Sequence, residues 1–196
     1  MELLFATTNF HKTAEIQKAL SGKYRLLSLK DIALTDAAID EPYHTLEENA
    51  IHKALSYQRL SGKPCFAEDT GLEVESLNGR PGVRSARYAG MPVDEHKNIE
   101  KLLNELVHTD DRKARFRTII ALTDGGKHYL FEGICNGRII KNMKGENGFG
   151  YDPVFVPEGT DQTFAEMTME EKNGYSHRKK ALDKLIEFLE KNKSFI

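Results

Sequence analysis

Five acidic side chains in the first part of the sequence have the chemistry to hold a divalent cation. They are Glu41, Glu47, Glu48, Glu68 and Asp69. Mg²⁺ prefers hard oxygen ligands and takes one or two protein carboxylates, while phosphate and water complete its coordination. Asp69 follows an apolar run, which is a suitable place for a metal ligand or a general base. A solvated acidic loop explains Glu41 equally well, and compensation of a helix dipole is the simpler explanation of Glu47 and Glu48.

A polar turn near the start of the chain has the composition of a phosphate-binding loop. Its residues are Thr7, Thr8, Asn9, Phe10, His11 and Lys12. Hydroxyl groups, a lysine and the backbone amides at the beginning of a helix can together hold phosphate. The glycine-rich Walker A pattern is absent from the sequence, and a polar turn that caps a helix explains the same residues.

A glycine-flanked aromatic residue occurs in the segment 148–153. The two glycines on either side of Phe149 allow a backbone to approach a flat ligand, and the ring can stack on a nucleobase. A turn between two strands explains the same pattern.

Basic residues accumulate where the last helix is predicted to begin. Ser176 is the expected N-cap, so that His177 and Arg178 fall in the first turn, where acidic residues are favoured. Such a local conflict points to a functional site. A solvated basic patch, to which Lys172 also contributes, is the alternative.

The elements that must position these residues indicate an α/β fold. Apolar runs at residues 3–6 and 65–67 are typical of strands covered on both faces, and helical patterns alternate with them. Residues 68–71 are expected at the C-terminal end of the second of these strands, where open α/β sheets bind ligands. A hairpin signal at residues 124–126 predicts antiparallel pairing in the middle of the chain, and hence a mixed sheet.

Composition narrows the classes of function. The 196 residues are expected to form a single domain over 1–196. With 28 basic and 30 acidic residues, the formal net charge is −2, which argues against nucleic acid as a partner. Cys65 and Cys135 lie in apolar runs and indicate buried side chains. The apolar N-terminal run is too short for a signal peptide or a membrane span, so that a cytoplasmic protein is expected.

Six segments in order resemble the inosine triphosphate pyrophosphatase family, also called the non-standard purine NTP pyrophosphatases. They lie at residues 6–12, 48–54, 67–72, 81–88, 148–153 and 170–178. The family usually has glycine where Thr8 stands here, and residues 41–46 depart from its usual Glu-Thr-Gly-x-Thr-Phe. The four charged positions Lys12, Glu41, Lys53 and Asp69 are retained.

The resemblance implies an elongated, two-lobed α/β fold with a long mixed sheet flanked by helices, a nucleotide cleft between the lobes, and a homodimer. It implies Mg²⁺-dependent cleavage of ITP, dITP and XTP to the monophosphate and pyrophosphate. Residues 7–12 and Lys53 would hold the triphosphate, with Thr70 beside it. Glu41 and Asp69 would bind Mg²⁺, and Asp69 would also be the base for the attacking water. The base pocket would be lined by Phe149, Gly150, Tyr151, Asp152, Lys172, His177 and Arg178.

Two other functions remain open. One is a related pyrophosphatase that acts on pyrimidine or methylated nucleotides. The other is a nucleotide-binding regulator without catalytic activity. Turnover of a panel of triphosphates separates both from the first prediction.

Overall fold

The computed structural model describes residues 2–8, 12–13, 16–17, 25–35, 39–124 and 126–192. Within these residues the strands are β1 (Glu2–Phe5), β2 (Arg25–Ser28), β3 (Cys65–Val74), β4 (Pro81–Gly82), β5 (Lys113–Thr123), β6 (His128–Ile139) and β7 (Phe155–Pro157). The helices are α1 (Leu46–Ser61), α2 (Glu95–Glu105), α3 (Met169–Tyr175) and α4 (His177–Lys191). Lys12, Thr13, Ile16 and Gln17 are also helical.

The sheet is mixed, as predicted, and helices flank it. Its strand order is β2-β1-β3-β5-β6-β7, with β4 paired to β3. β1 is parallel to both β2 and β3, and Phe5 lies opposite Phe66. β4 is antiparallel to β3, and β7 is antiparallel to β6. The predicted α/β class is therefore confirmed.

Strand β3 is longer than the sequence predicts. It continues to Val74, so that Glu68, Asp69 and Thr70 lie inside the strand and not beyond its C-terminal end. The expectation of a short strand was wrong because an acidic pair inside a buried strand is costly unless partners compensate it. For Glu68 those partners are Lys12 and Arg178, which are far away in the sequence.

The chain divides into two compact units that alternate along the sequence. The first unit comprises Met1–Asp69, Thr118–Gly133 and Arg178–Ile196. Its core contains the stacked rings of Phe5 and Phe66, whose centroids are 4.6 Å apart. Apolar side chains of α4, such as Leu182 and Leu185, complete this core. Burying such side chains against the sheet is worth roughly 1.5–3 kcal/mol each.

The second unit comprises Thr70–Arg117 and Ile134–His177. Its core is aromatic, with Phe116 and Phe155 at 4.6 Å between ring centroids and Phe155 and Phe164 at 5.2 Å. Helix α2 contributes Ile99 and Leu102 to the same cluster.

The capping-box spacing of Thr45 and Glu48 predicts the start of helix α1, Gly62 predicts its end, and the structure confirms both. The Thr45 hydroxyl accepts a hydrogen bond from the Glu48 amide at 3.2 Å, which satisfies one of the amides that a helix start leaves unpaired. Gly62 ends the helix with φ +67°, a left-handed conformation that glycine adopts without steric cost. Among the helices in the described ranges, none has both the length and the hydropathy of a membrane span.

Candidate active site

A buried carboxylate with two basic partners lies at the centre of the first unit. The Glu68 side chain is 0% exposed, and its Oε1 is 2.8 Å from Lys12 Nζ. Arg178 Nε donates to both carboxylate oxygens, at 2.9 and 3.1 Å. The formal charges of these three side chains sum to +1.

The two cations determine the protonation state of Glu68. Burial alone would raise the pKa of this carboxyl, but Arg178 and Lys12 lower it to about 2. Glu68 is therefore ionised at neutral pH and holds both cations in place. Removing Glu68 would leave two neighbouring cations without their carboxylate, which typically costs roughly 3–5 kcal/mol.

These three side chains belong to three separate elements. Glu68 lies in β3, Lys12 lies in the helical residues that follow β1, and Arg178 is the second residue of α4. The prediction that His177 and Arg178 begin the last helix is confirmed. The ion pair with Glu68 compensates the charge of Arg178, which explains how a cation is accommodated at a helix start.

Asp69 is the next residue of β3 and is 7% exposed. Because successive side chains of a strand point to opposite faces, Asp69 shares a face with Cys65, and Glu68 shares a face with Phe66. Phe66 packs in the core cluster that α4 completes, in agreement with the pairing of Glu68 and Arg178. The two neighbouring carboxylates therefore face different environments and are suited to different roles.

An ion pair between Lys53 of α1 and Glu41, which precedes this helix, forms a second polar group of the first unit. Lys53 Nζ forms an ion pair with the Glu41 carboxylate, and both side chains are largely buried, at 14% and 27% exposure. Tyr57 lies one helical turn after Lys53 and is buried. Burial raises the pKa of the Tyr57 hydroxyl, Cys65 and Glu41 raise it further, and Lys53 opposes them.

Sequence reasoning did not single out Tyr57. Its signal is the spacing of four residues from Lys53, which places both side chains on one face of α1. In the part of the chain that the structure describes, no three His, Cys, Asp or Glu side chains are grouped as a ready metal site.

In the second unit, Lys172 is buried in an aromatic and acidic environment. Its Nζ is 2.8 Å from Asp152 Oδ2, and both side chains are 5% exposed. The ammonium also lies 5.1 Å from the Phe149 ring centroid and 5.3 Å from that of Phe164, at cation–π distance. Helix α3 positions Lys172, and a reciprocal capping box of Thr168 and Glu171 fixes the start of that helix.

The glycine-flanked segment forms a turn around Asp152. The Asp152 Oδ2 accepts from the Phe149 amide at 2.9 Å. A Cβ on Gly148, whose φ is +79°, would lie 2.1 Å from that oxygen, so only glycine fits. The Tyr151 hydroxyl donates to the Ser85 carbonyl at 2.9 Å, which fixes its ring inside the core. These hydrogen bonds fix the segment as a turn, and the turn leaves Phe149 and Gly150 partly exposed.

His177 ends the second unit and is buried. Its ring stacks on Phe116 with centroids 4.7 Å apart and an interplanar angle of 16°. The adjoining Arg178 belongs to the first unit, where Glu68 holds it. The two neighbouring residues, both predicted to line the base pocket, thus make different contacts.

The remaining predicted residues differ in how the structure places them. Thr7 is half-buried and Thr8 is exposed, directly after β1. Thr70 is half-buried and follows Asp69. The predicted ligands Asn9, Phe10 and His11 lie outside the described residues. Glu47 and Glu48 lie in the first turn of α1, as expected for compensation of the helix dipole.

Comparison with known proteins gives matches over nearly the whole chain. Residues 3–188 match the Ham1 family. A dITP/XTP pyrophosphatase of Flavobacterium psychrophilum is 50% identical over 188 residues, which cover 96% of this chain and 98% of that protein. A dITP/XTP pyrophosphatase of Christiangramia forsetii is 49% identical, with 97% and 100% covered. The solved structure of the Staphylococcus aureus Ham1 protein has a TM-score of 0.89 and 38% identity, with 98% and 100% covered.

Proposed function

Because the chain belongs to the Ham1 family, we propose that it hydrolyses the non-standard purine triphosphates ITP, dITP and XTP to the monophosphate and pyrophosphate. The observation that carries the proposal is the ion cluster of Lys12, Glu68 and Arg178, in which Glu68 is the residue before Asp69 in β3. Glu68 thus holds a cation for the phosphates, and the next residue of the strand supplies a carboxylate for the reaction. The names of the relatives supply the substrate class.

The cations hold the phosphates in this proposal. Lys12 is held by Glu68 before any ligand arrives, so that little side-chain entropy is lost on binding. Lys53 adds a second cation, and Thr70 would lie beside the phosphates. The turn formed by Thr7, Thr8, Asn9, Phe10, His11 and Lys12 contributes hydroxyls and amides. Fixed charges of this kind are the largest contribution to catalysis of phosphoryl transfer.

Asp69 is the general base. It takes a proton from a water molecule as the water oxygen attacks the α-phosphorus. The bond between the α-phosphorus and the oxygen that bridges to the β-phosphate breaks, and pyrophosphate leaves with the bond's electron pair. The burial of Asp69 (7% exposed) limits access of bulk water to its carboxylate.

Mg²⁺ is the proposed cofactor, with Glu41 and Asp69 as its protein ligands. The donor set suits this ion, because Mg²⁺ takes one or two carboxylates and leaves its other positions to phosphate and water. Lys53, which pairs with Glu41, would share that carboxylate with the metal. When bound, Mg²⁺ supplies positive charge to the phosphate oxygens.

We assign recognition of the purine base mainly to residues of the second unit. Hypoxanthine and xanthine carry a 6-keto acceptor where adenine carries an amino donor. In this proposal the Lys172 ammonium, which already donates to Asp152, also donates to this acceptor. The amino group of adenine cannot accept that hydrogen bond, and its loss costs about 1–3 kcal/mol. Phe149 offers a ring face to the base. The other proposed base-pocket residues are Gly150, Tyr151, Asp152, His177 and Arg178.

A homodimer in the cytoplasm is part of the same proposal, since both follow from the family resemblance. Light scattering checks the dimer, with an expected mass of twice the 22.2 kDa of the chain. A monomer at micromolar concentration would contradict it.

A panel of triphosphates tests the proposed activity. Pyrophosphate release is measured with ITP, dITP, XTP, GTP, ATP, dUTP and dTTP, each with Mg²⁺ and with EDTA. We expect turnover of ITP, dITP and XTP well above that of ATP, and loss of turnover in EDTA. Preference for dUTP or dTTP would identify a pyrimidine enzyme instead. Binding without turnover of any triphosphate would indicate a regulator.

A further inference from the structure

Asn49 lies in the first turn of α1 and is neither a proposed substrate-binding residue nor a proposed metal ligand. It is 1% exposed. Its Oδ1 accepts from the Tyr43 amide at 3.0 Å, and its Nδ2 donates to the Tyr43 carbonyl at 3.3 Å. A single side chain thus binds both polar groups of the Tyr43 backbone, which holds the segment before α1 against that helix.

The segment that Asn49 holds carries Glu41, a proposed ligand of Mg²⁺. Only Pro42 separates Glu41 from Tyr43. The ring of Pro42 fixes its own φ angle and favours an extended backbone at Glu41. Few free rotations remain between Glu41 and Tyr43, so that anchoring the Tyr43 backbone also restricts where the Glu41 carboxylate can lie.

The Glu41 side chain is held by the same helix. Lys53, which forms the ion pair with Glu41, follows Asn49 by four residues, and this spacing places both side chains on one face of α1. Asn49 therefore holds the backbone of the segment, while Lys53 holds its carboxylate. Both contacts come from one helix of 16 residues that is capped at each end.

Further contacts support the position of Tyr43. Its ring meets that of His52 edge-on, with centroids 5.3 Å apart and an interplanar angle of 65°. Leu46, three residues later, is 2% exposed. The segment therefore has a defined path before any metal binds, which lowers the entropic cost of binding.

A second buried asparagine makes the same kind of contact in the other unit. Asn98 of α2 is 3% exposed. Its side chain donates to the Ala86 carbonyl at 2.9 Å and accepts from the Ala89 amide at 2.6 Å. Asn98 and Asn49 thus each hold a loop against a helix, but the loop that Asn98 holds carries none of the proposed metal ligands.

We propose that Asn49 is a positioning residue of the metal site, which holds Glu41 where its carboxylate can bind Mg²⁺. The inference rests on the proposed function, since it requires Glu41 to be a ligand of the metal. Removing a group that orients a metal ligand typically costs about 10–100-fold in metal affinity or activity.

Calorimetric titration with Mg²⁺ tests the proposal without turnover. The full chain is saturated with a non-hydrolysable ITP analogue, and the heat of Mg²⁺ binding to the free analogue is subtracted. Asn49→Ala should raise the Kd for Mg²⁺ at least about tenfold. Asn49→Leu keeps the branched shape of the side chain without its hydrogen bonds and should have the same effect. An unchanged Kd in these variants would refute the role of Asn49.

The kinetics of ITP hydrolysis separate positioning from a general loss of structure. In Asn49→Ala the Mg²⁺ concentration that gives half the maximal rate should rise by the same factor as the Kd. The kcat at saturating Mg²⁺ should stay within threefold of the original value. A fall in kcat with an unchanged Mg²⁺ requirement would identify Asn49 as a structural residue only.

Asn98→Ala is the matched control. It removes the same kind of contact, and it should lower stability in urea as Asn49→Ala does. Its Kd for Mg²⁺ should stay within twofold of the original chain. An equal loss of Mg²⁺ affinity in Asn98→Ala would contradict a specific role of Asn49.

A double variant tests whether Asn49 acts through Glu41. Glu41→Gln/Asn49→Ala should bind Mg²⁺ within twofold of Glu41→Gln alone, because the carboxylate that Asn49 positions is already absent. Additive losses would overturn the positioning role. Full Mg²⁺ affinity in Glu41→Gln would remove Glu41 from the metal site, and the role of Asn49 with it. Absence of ITP hydrolysis by the original chain would overturn the proposed activity alone, since the titration does not depend on turnover.

Discussion

At the scale of single residues, Glu68 and Asp69 illustrate how strand geometry separates two adjacent carboxylates. Glu68 is bound by Lys12 and Arg178, whereas Asp69 lies on the opposite face of β3. Glu68 therefore holds the two cations, and Asp69 is the residue that we propose for proton transfer and metal binding.

Substitution of Asp69 tests that assignment. Asp69→Asn retains the size of the side chain but removes its basicity, so that kcat for ITP should fall at least about 100-fold. Circular dichroism should report an unchanged fold. The exposed Asp110→Asn variant serves as the control and should retain full activity. Near-normal turnover by folded Asp69→Asn would refute its role as the base.

Substitution of Glu68 has a different expected result. The Glu68→Gln variant leaves the charges of Lys12 and Arg178 uncompensated, and its free energy of unfolding at pH 7 should fall by roughly 3–5 kcal/mol. Urea denaturation measures this quantity. The exposed Glu146→Gln variant should differ from the original chain by less than about 0.5 kcal/mol.

The pH dependence of stability follows from the same group. The pKa of Glu68 is about 2 in the folded chain against an ordinary value of 4.5. A lowered carboxyl pKa contributes stability above pH 4.5 that is lost as the pH falls towards 2. The original chain should therefore lose more unfolding free energy than Glu68→Gln between pH 4.5 and 2. Parallel curves for the two would contradict the ion cluster.

Lys172 carries the prediction on base selectivity. In Lys172→Met the donor for a 6-keto group is lost, so that the ratio of kcat/KM for ITP to that for ATP should fall about tenfold or more. The fall should come from slower ITP hydrolysis. The exposed Lys144→Met variant should keep the original ratio, and an unchanged ratio in folded Lys172→Met would exclude Lys172 from base recognition.

At the scale of elements, β3 depends on a close approach to β4. A Cβ on Gly71 would lie 2.7 Å from the Gly82 carbonyl oxygen. Gly71→Ala should therefore force the strands apart and lower the free energy of unfolding by about 1–3 kcal/mol. Gly126→Ala, where a Cβ meets nothing within 4 Å, is the control and should show little loss in the same urea titration.

Local signals predicted these elements well. The Thr45 cap, the Gly62 stop and the start of α4 at His177 are each determined by a few neighbouring residues. Strand β3 was predicted too short because its acidic residues depend on distant partners. The bond between Glu68 and Arg178 spans 110 positions, and no local pattern reveals such a pair.

Only part of the candidate site could be predicted, because some of its contacts also join residues that are distant in the sequence. Residue types and the order of the motifs identified Lys12, Asp69, Lys172 and Arg178 as functional candidates. Sequence could not reveal that Arg178 pairs with Glu68 while His177, its neighbour, stacks on Phe116. Those contacts depend on tertiary packing.

At the scale of the whole molecule, the fold and the comparisons support one reaction. The family resemblance inferred from six sequence segments is confirmed by the match over residues 3–188. Each compact unit supplies a different chemistry: cations and carboxylates in the first, and an aromatic-lined lysine in the second.

Hydrolysis of dITP in ¹⁸O-labelled water tests the central claim most directly. Attack of water on the α-phosphorus forms the new P–O bond on the nucleotide. Mass spectrometry should therefore find one ¹⁸O atom in the monophosphate and none in the pyrophosphate. Label in the pyrophosphate, or release of orthophosphate in its place, would contradict the account.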